Sequence, residues 1–185
     1  MKILINYYSR SGNNRLVAEV LAERLSADIE EIVNSTGYKN VIGLFKVILH
    51  SRNKKPAKLK PLRKNPADYD LVILCAPVWV GNLSAPARAY LQIYGKDLKK
   101  LAFLAVCGGG DDHNPEAFKE VRELVGVKLS SEMELNTKIM LPEADRNNAK
   151  KVMDVHLRKE DLDTVYKEKI DEILMTVKNL LKGHN

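Results

Sequence analysis

The sequence predicts an α/β fold, a doubly wound five-stranded parallel sheet with helices on both faces, and three observations predict it. The strongest strand candidates, residues 71–76 and 101–107, are apolar from end to end, so they need cover on both faces. Strand-like and helix-like periodicities alternate along most of the chain with short connections, which is the pattern of parallel strands joined by crossover helices. The chain of 185 residues, 45% hydrophobic and 29% charged, has the core and the solvated surface of one domain, 1–185.

Taken in order, residues 2–8 are a short apolar run that stops at a turn cluster, as a buried strand does. Residues 14–25 place Leu16, Val17, Val20, Leu21 and Leu25 at helical spacing. Residues 28–33 form a weaker strand containing acids, suited to a sheet edge. An insert at about 37–64 follows, with an apolar helix candidate at 41–49 and then a basic stretch. The strand at 71–76 leads to a helix at 85–93, and the strand at 101–107 leads to a helix at 115–125. A last strand is expected within 132–140, before a long polar and partly irregular loop at 142–160. A final helix carries one stripe: Val165, Tyr166, Ile170, Ile173, Leu174, Val177, Leu180 and Leu181.

Composition excludes several classes. Two cysteines, Cys75 and Cys107, both within apolar runs, make neither a disulfide framework nor a cysteine-based zinc site. The first residues, Met1-Lys2-Ile3-Leu4-Ile5-Asn6, turn polar too early for a secretory signal. The longest uncharged stretch, residues 71–87, is broken by Pro77, Gly81 and Pro86, so no membrane span is expected. The chain reads as soluble and cytoplasmic.

The net charge of +6 is local. Arg52, Lys54, Lys55, Lys58, Lys60, Arg63 and Lys64 put seven positives within residues 51–64 with no acid among them, leaving −1 for the remainder. Such a stretch suits phosphates, an acidic protein or a membrane surface, or stands as a solvated loop. No aromatic residue interleaves the charges, so nucleic-acid binding is not expected.

In an open parallel sheet, ligands bind at the C-terminal ends of the strands, where the strand order reverses. Three loops lie at such ends. Ser9-Arg10-Ser11-Gly12-Asn13-Asn14-Arg15 opens into a helix and offers hydroxyls, amides and backbone N–H groups to an anion, or serves simply as a helix cap. It has neither a Walker loop's Gly-Lys-Ser/Thr nor the glycines of a dinucleotide fingerprint. Ala76-Pro77-Val78-Trp79-Val80-Gly81-Asn82 holds the sole tryptophan at a strand end, placed to stack on a flat ring or to pack the top of a helix. Cys107-Gly108-Gly109-Gly110-Asp111-Asp112-His113 has three consecutive glycines, which allow close backbone approach or a sharp bend.

Together the loops resemble those of the flavodoxin family. Residues 8–14, Tyr8-Ser9-Arg10-Ser11-Gly12-Asn13-Asn14, are similar to its FMN-phosphate loop, with Asn14 where the family usually has threonine. Pro77-Val78-Trp79-Val80-Gly81 resembles the loop against the isoalloxazine ring, and Cys107-Gly108-Gly109-Gly110 the other loop flanking it. The resemblance implies strand order 2-1-3-4-5 with FMN at the switch between strands 1 and 3. It implies that Ser9, Arg10, Ser11, Gly12, Asn13 and Asn14 hold the phosphate and that Trp79 stacks on the ring. The 142–160 loop then falls near the ring end of the last strand and shapes an acceptor pocket. His113 is the one candidate proton donor near the ring, or a surface histidine before a helix. No catalytic acid or base and no metal ligand are assigned.

The implied chemistry is the flavin's own. It is either an oxidoreductase passing hydride or electrons from a donor such as NAD(P)H to a quinone or flavin, or a one-electron carrier serving a redox partner protein. A binding protein acting through its basic insert is the non-enzymatic alternative, with membrane contact by that insert as one form. A homodimer is left open. Two other phosphate-handling families fail on their own motifs. A low-molecular-weight tyrosine phosphatase needs arginine six positions after its cysteine, where this chain has Gly81 and His113. A receiver domain needs acids at strand ends occupied here by Tyr7-Tyr8 and Cys75-Ala76.

Overall fold

A computed structural model describes residues 1–35, 49, 51–109 and 114–182. The rest of the insert, with most of the helix candidate 41–49, lies outside the described residues, as do Gly110, Asp111, Asp112 and His113. The strands are β1 (Ile3–Tyr7), β2 (Asp28–Glu31), β3 (Leu71–Cys75), β4 (Val78–Trp79), β5 (Asn82–Leu83), β6 (Leu101–Cys107) and β7 (Leu129–Asn136). The helices are α1 (Asn13–Leu25), α2 (Ala85–Tyr94), α3 (Pro115–Leu124), α4 (Ala149–Met153), α5 (Lys159–Asp163) and α6 (Lys167–Lys182).

Five strands pair in parallel in the order β2-β1-β3-β6-β7, while β4 and β5 form a separate antiparallel hairpin. Counting only the main sheet, that order is 2-1-3-4-5. This is the flavodoxin-like fold, with its switch point between β1 and β3.

The strand pleat explains the two-sided core. Ile3, Ile5, Ile73 and Leu104 face a layer built by Val17 and Leu21 of α1 and Ile170, Ile173 and Val177 of α6. Leu4, Val72, Leu74 and Phe103 face Tyr90 and Leu91 of α2 and Phe118 and Val121 of α3. Asn6 is the polar exception within β1; fully buried, it accepts a hydrogen bond from the Tyr90 hydroxyl at 2.8 Å.

Two expectations need adjustment. The last strand begins at Leu129, before the expected window, and residues 137–140 are a 3-10 turn. As an edge strand, its first half is only partly buried and so carries little apolar signal. In the final helix, Val165 and Leu181 are exposed, and Tyr166 lies just before α6, buried with its hydroxyl donating to the Asn136 carbonyl at 2.9 Å.

The basic stretch is not a free loop. Its backbone runs antiparallel beside residues 33–35, joined by a bridge between Asn34 and Leu59, and it covers the β2 edge. Glu30 accepts from the backbone N–H groups of Arg63 and Lys64 at 2.7 and 2.9 Å.

Candidate functional site

The loops after β1, β3 and β6 converge at the C-terminal edge of the sheet around a cavity of about 520 Å³. Arg10, Ser11, Asn13, Asn14, Pro77, Val78, Trp79, Val80, Gly81, Cys107, Gly108 and Gly109 all line it. Of the other candidates, Ser9 and Gly12 do not line the cavity but shape the first loop, and Gly110 lies outside the described residues.

The first loop is built around one glycine. Gly12 has φ +97°, a conformation that side-chain-bearing residues rarely adopt, and its N–H donates to Ser9 Oγ at 3.1 Å. No side chain caps α1, and the first helical hydrogen bond runs from the Leu16 N–H to the Gly12 carbonyl. The N–H groups of residues 13–15 therefore emerge at the helix end beside Ser11 and Arg10, where the helix dipole favours an anion.

Asn13 and Asn14 have a task that their sequence context does not reveal. Asn14 Nδ2 donates to the Val106 carbonyl and its Oδ1 accepts from the Val106 N–H, both at 3.2 Å. Asn13 makes the same kind of clasp on the segment after β7, donating to the Val155 carbonyl at 2.9 Å and accepting from the Leu157 N–H at 3.0 Å. Both side chains are buried. They fasten α1 to β6 and to the distant chain, so what the loop offers an anion is N–H groups, Ser11 and Arg10.

The second loop is the β4–β5 hairpin, turning at Val80 and Gly81, which have φ +51° and +74°. Two positive φ values in a two-residue turn match a type I′ hairpin, for which asparagine and glycine are the usual choices. Val80 is β-branched and strained there, and it is 67% exposed at the cavity rim. Trp79 combines the two placements considered for it: it lines the cavity, and with Leu59 it packs against Ala57 and Ala85, the last at the start of α2. Tyr8 meets its ring edge-on at 5.8 Å between centroids.

The third loop is pressed against a wall that sequence reasoning located but did not resolve into residues. A Cβ on Gly108 would lie 2.5 Å from Val152 Cγ1 and 3.1 Å from Thr137 Oγ1. The Thr137 hydroxyl donates to the Cys107 carbonyl at 3.2 Å. Thr137, Lys138, Arg146, Asn147, Ala149, Val152, Met153 and Val155 line this side, and Val106 lies at its base. Asn148 caps α4, its Oδ1 accepting from Lys150 and Lys151 N–H groups, and Arg146 Nε donates to the Leu141 carbonyl at 3.0 Å. Asp145 pairs with Lys151, and His156 is not among the lining residues.

Beneath the glycine loop, Glu134 is buried and accepts from the Asn114 N–H at 3.1 Å, Asn114 Nδ2 at 2.9 Å and the Cys107 thiol at 3.2 Å. Burial, and then the Glu134 carboxylate, push the Cys107 thiol far up, so it stays protonated and is no nucleophile. The cavity thus has Arg10 and Ser11 where α1 begins, Lys138 and Arg146 on the segment after β7, and an apolar lining from Val78, Trp79, Val80, Ala149, Val152 and Met153 between them.

Among the described residues, no helix is long and apolar enough to cross a membrane. No curated protein matches the chain. Among solved structures, a flavoprotein from Lactobacillus acidophilus NCFM in complex with FMN is similar at 21% identity, with a TM-score of 0.56 over 75% of this chain and 96% of that one. A Bacteroides eggerthii protein assigned as a flavoprotein is similar at 20% identity, with a TM-score of 0.61 over 84% of this chain and 99% of that one. At these identities the likeness is one of fold. The family model of the NADPH-dependent FMN reductases matches residues 1–134, which hold β1 to β6 and most of β7, and the chain belongs to that family.

Proposed function

We propose that the chain binds FMN in this cavity and passes hydride or electrons from a reduced donor such as NAD(P)H to a small acceptor such as a quinone or flavin. One observation carries the reading. All three loops that resemble flavin-binding segments meet around a single cavity, with an uncapped helix end at one side and Trp79 at the other. The residues present fit the group. Backbone N–H groups of α1, Ser11 and Arg10 suit its phosphate, while the hairpin and the glycine loop suit a flat ring. A Cβ on Gly12 or Gly109 would meet nothing within 4 Å, so open space borders both loops. The matching family, whose description names both NADPH and FMN, supports the same assignment.

When bound, the flavin supplies the redox chemistry, and the chain's own task is placement. Trp79, packed against Ala57 and Ala85, would hold one side of the ring plane. Val152, Met153 and Ala149 keep the opposite wall apolar, which excludes water and suits a flat, poorly hydrated acceptor. Arg10, Lys138 and Arg146 bring three cationic side chains to the same cavity, which suits a phosphorylated donor.

The test is an absorbance spectrum after incubation with FMN and desalting. Flavin should remain at close to one per chain, and NADPH should then reduce it and turn over with a quinone. A long-lived one-electron form during dithionite titration would point to a carrier instead. A colourless protein after desalting would refute the cofactor assignment.

A further inference from the structure

The basic segment 51–64 lies beside the cavity and is held as a fixed array, which the proposed redox reaction does not require. We infer that this array is a docking surface for an acidic protein, placed at the outer side of the hairpin that carries Trp79.

Its backbone is tied down along its length. The Arg88 guanidinium, 1% exposed and paired with buried Glu120, donates to the carbonyls of Ser51 and Lys55, both at 3.4 Å. The Ala57 N–H donates to the Ala85 carbonyl at 3.1 Å, and the Lys60 N–H to the Val33 carbonyl at 2.9 Å. Burying an ion pair carries a desolvation penalty, so a guanidinium spent on loop carbonyls is a costly fastening. A merely solvated charge run needs no such anchoring.

The charges face outward. Arg63 and Lys64 pair with Glu30 and Asp28, while Arg52, Lys54, Lys55, Lys58 and Lys60 are exposed and add five further positives. The remainder of the chain carries −1, so this array is the dominant positive feature of the sequence.

The form of the array selects the partner. Ala57 is buried and Leu59 and Leu62 are half-buried, so the segment's own apolar residues point inward and offer a bilayer no hydrophobic foot. It contains no aromatic residue on which a base could stack. Lysines and an arginine on a helical turn at 51–54 and the extended backbone that follows it, without either device, match a carboxylate-rich protein face. Trp79 and Leu59 both pack against the buried Ala57 and Ala85 pair, so a protein seated there would stand next to the cavity mouth.

The experiment titrates the full chain with an oxidised plant-type [2Fe–2S] ferredoxin as the acidic probe, by calorimetry at 20 and 300 mM NaCl. Binding should be measurable at low salt and fall at least tenfold at high salt. Arg52→Gln, Lys55→Gln, Lys58→Gln and Lys60→Gln combined should weaken it about tenfold or more. Neutralising exposed Lys119, Lys128, Lys178 and Lys182 instead should change it less than twofold, with circular dichroism confirming both folds. Equal affinity for both variants would overturn the proposal, and so would binding of phosphatidylserine vesicles or single-stranded RNA without binding of the ferredoxin. Flavin retention is read separately, so this outcome is independent of the cofactor assignment.

Discussion

Asn14 shows how one side chain can be read two ways. The flavodoxin resemblance implies a phosphate-binding role for it, yet its amide is consumed by both backbone groups of Val106. Asn14→Ala would leave that buried N–H and C=O without partners, at a cost of about 2–3 kcal/mol. Asn14→Thr cannot supply both a donor and an acceptor at the same reach and should recover at most part of the loss. The check is a urea transition without flavin, in which the midpoint should fall while the slope stays constant. If the residue served only the phosphate, the ligand-free midpoint would not move.

At the scale of elements, the decisive contact joins the glycine loop to the segment after β7. With 2.5 Å between a Cβ on Gly108 and Val152 Cγ1, Gly108→Ala must push α4 away or bend the loop. Flavin retention should fall about tenfold or more, and Val152→Ala added to the same chain should recover much of it by making room. Failure of the second change to rescue would mean that the loop, not the wall, had moved. The buried strands β1, β3 and β6 were readable because a short apolar run between turn residues suits a strand covered on both faces and little else. The loops after them were readable because glycine, asparagine and tryptophan at strand ends carry local meaning. The wall at residues 137–155 was readable only in outline, as a loop at 142–160 beside the end of the last strand, and not residue by residue. Ala149, Val152, Met153 and Val155 belong to an ordinary mixed segment, and what brings them to the cavity is a clasp from Asn13, 142 residues before Val155. The family match also stops at residue 134, so this wall lies wholly beyond it.

For the whole molecule, the buried acids set the direction of its pH dependence. Burial raises the Cys75 thiol from its usual 9.0 to about 12, and burial with the Asp28 hydrogen bond raises the Tyr69 hydroxyl from 10.0 to about 12. Burial also moves Tyr90 and Tyr166 upward. Each group is neutral when protonated and ionises more readily in the unfolded chain, so unfolding releases protons once the pH passes the unfolded pKa. Stability should be intact below about pH 9 and be lost progressively between 9 and 12, at about 1.4 kcal/mol per pH unit for each fully engaged buried group. The acid side is gentler. Asp28 is held below its usual range by the Tyr69 and Lys64 hydrogen bonds, and Glu23 by Lys159, so their contributions are present above the ordinary carboxylate range and lost as pH falls through it. Both are exposed to screening, and their share is small. Urea midpoints between pH 7 and 11 should therefore hold level and then drop. Cys75→Val, which keeps the volume and removes one of the two buried thiol ionisations, should make that drop about half as steep between pH 9 and 10, where Cys107 still contributes. A midpoint that stays level to pH 11, or a steepness unmoved by the substitution, would show that the thiol inside β3 does not contribute to the alkaline limit of this fold.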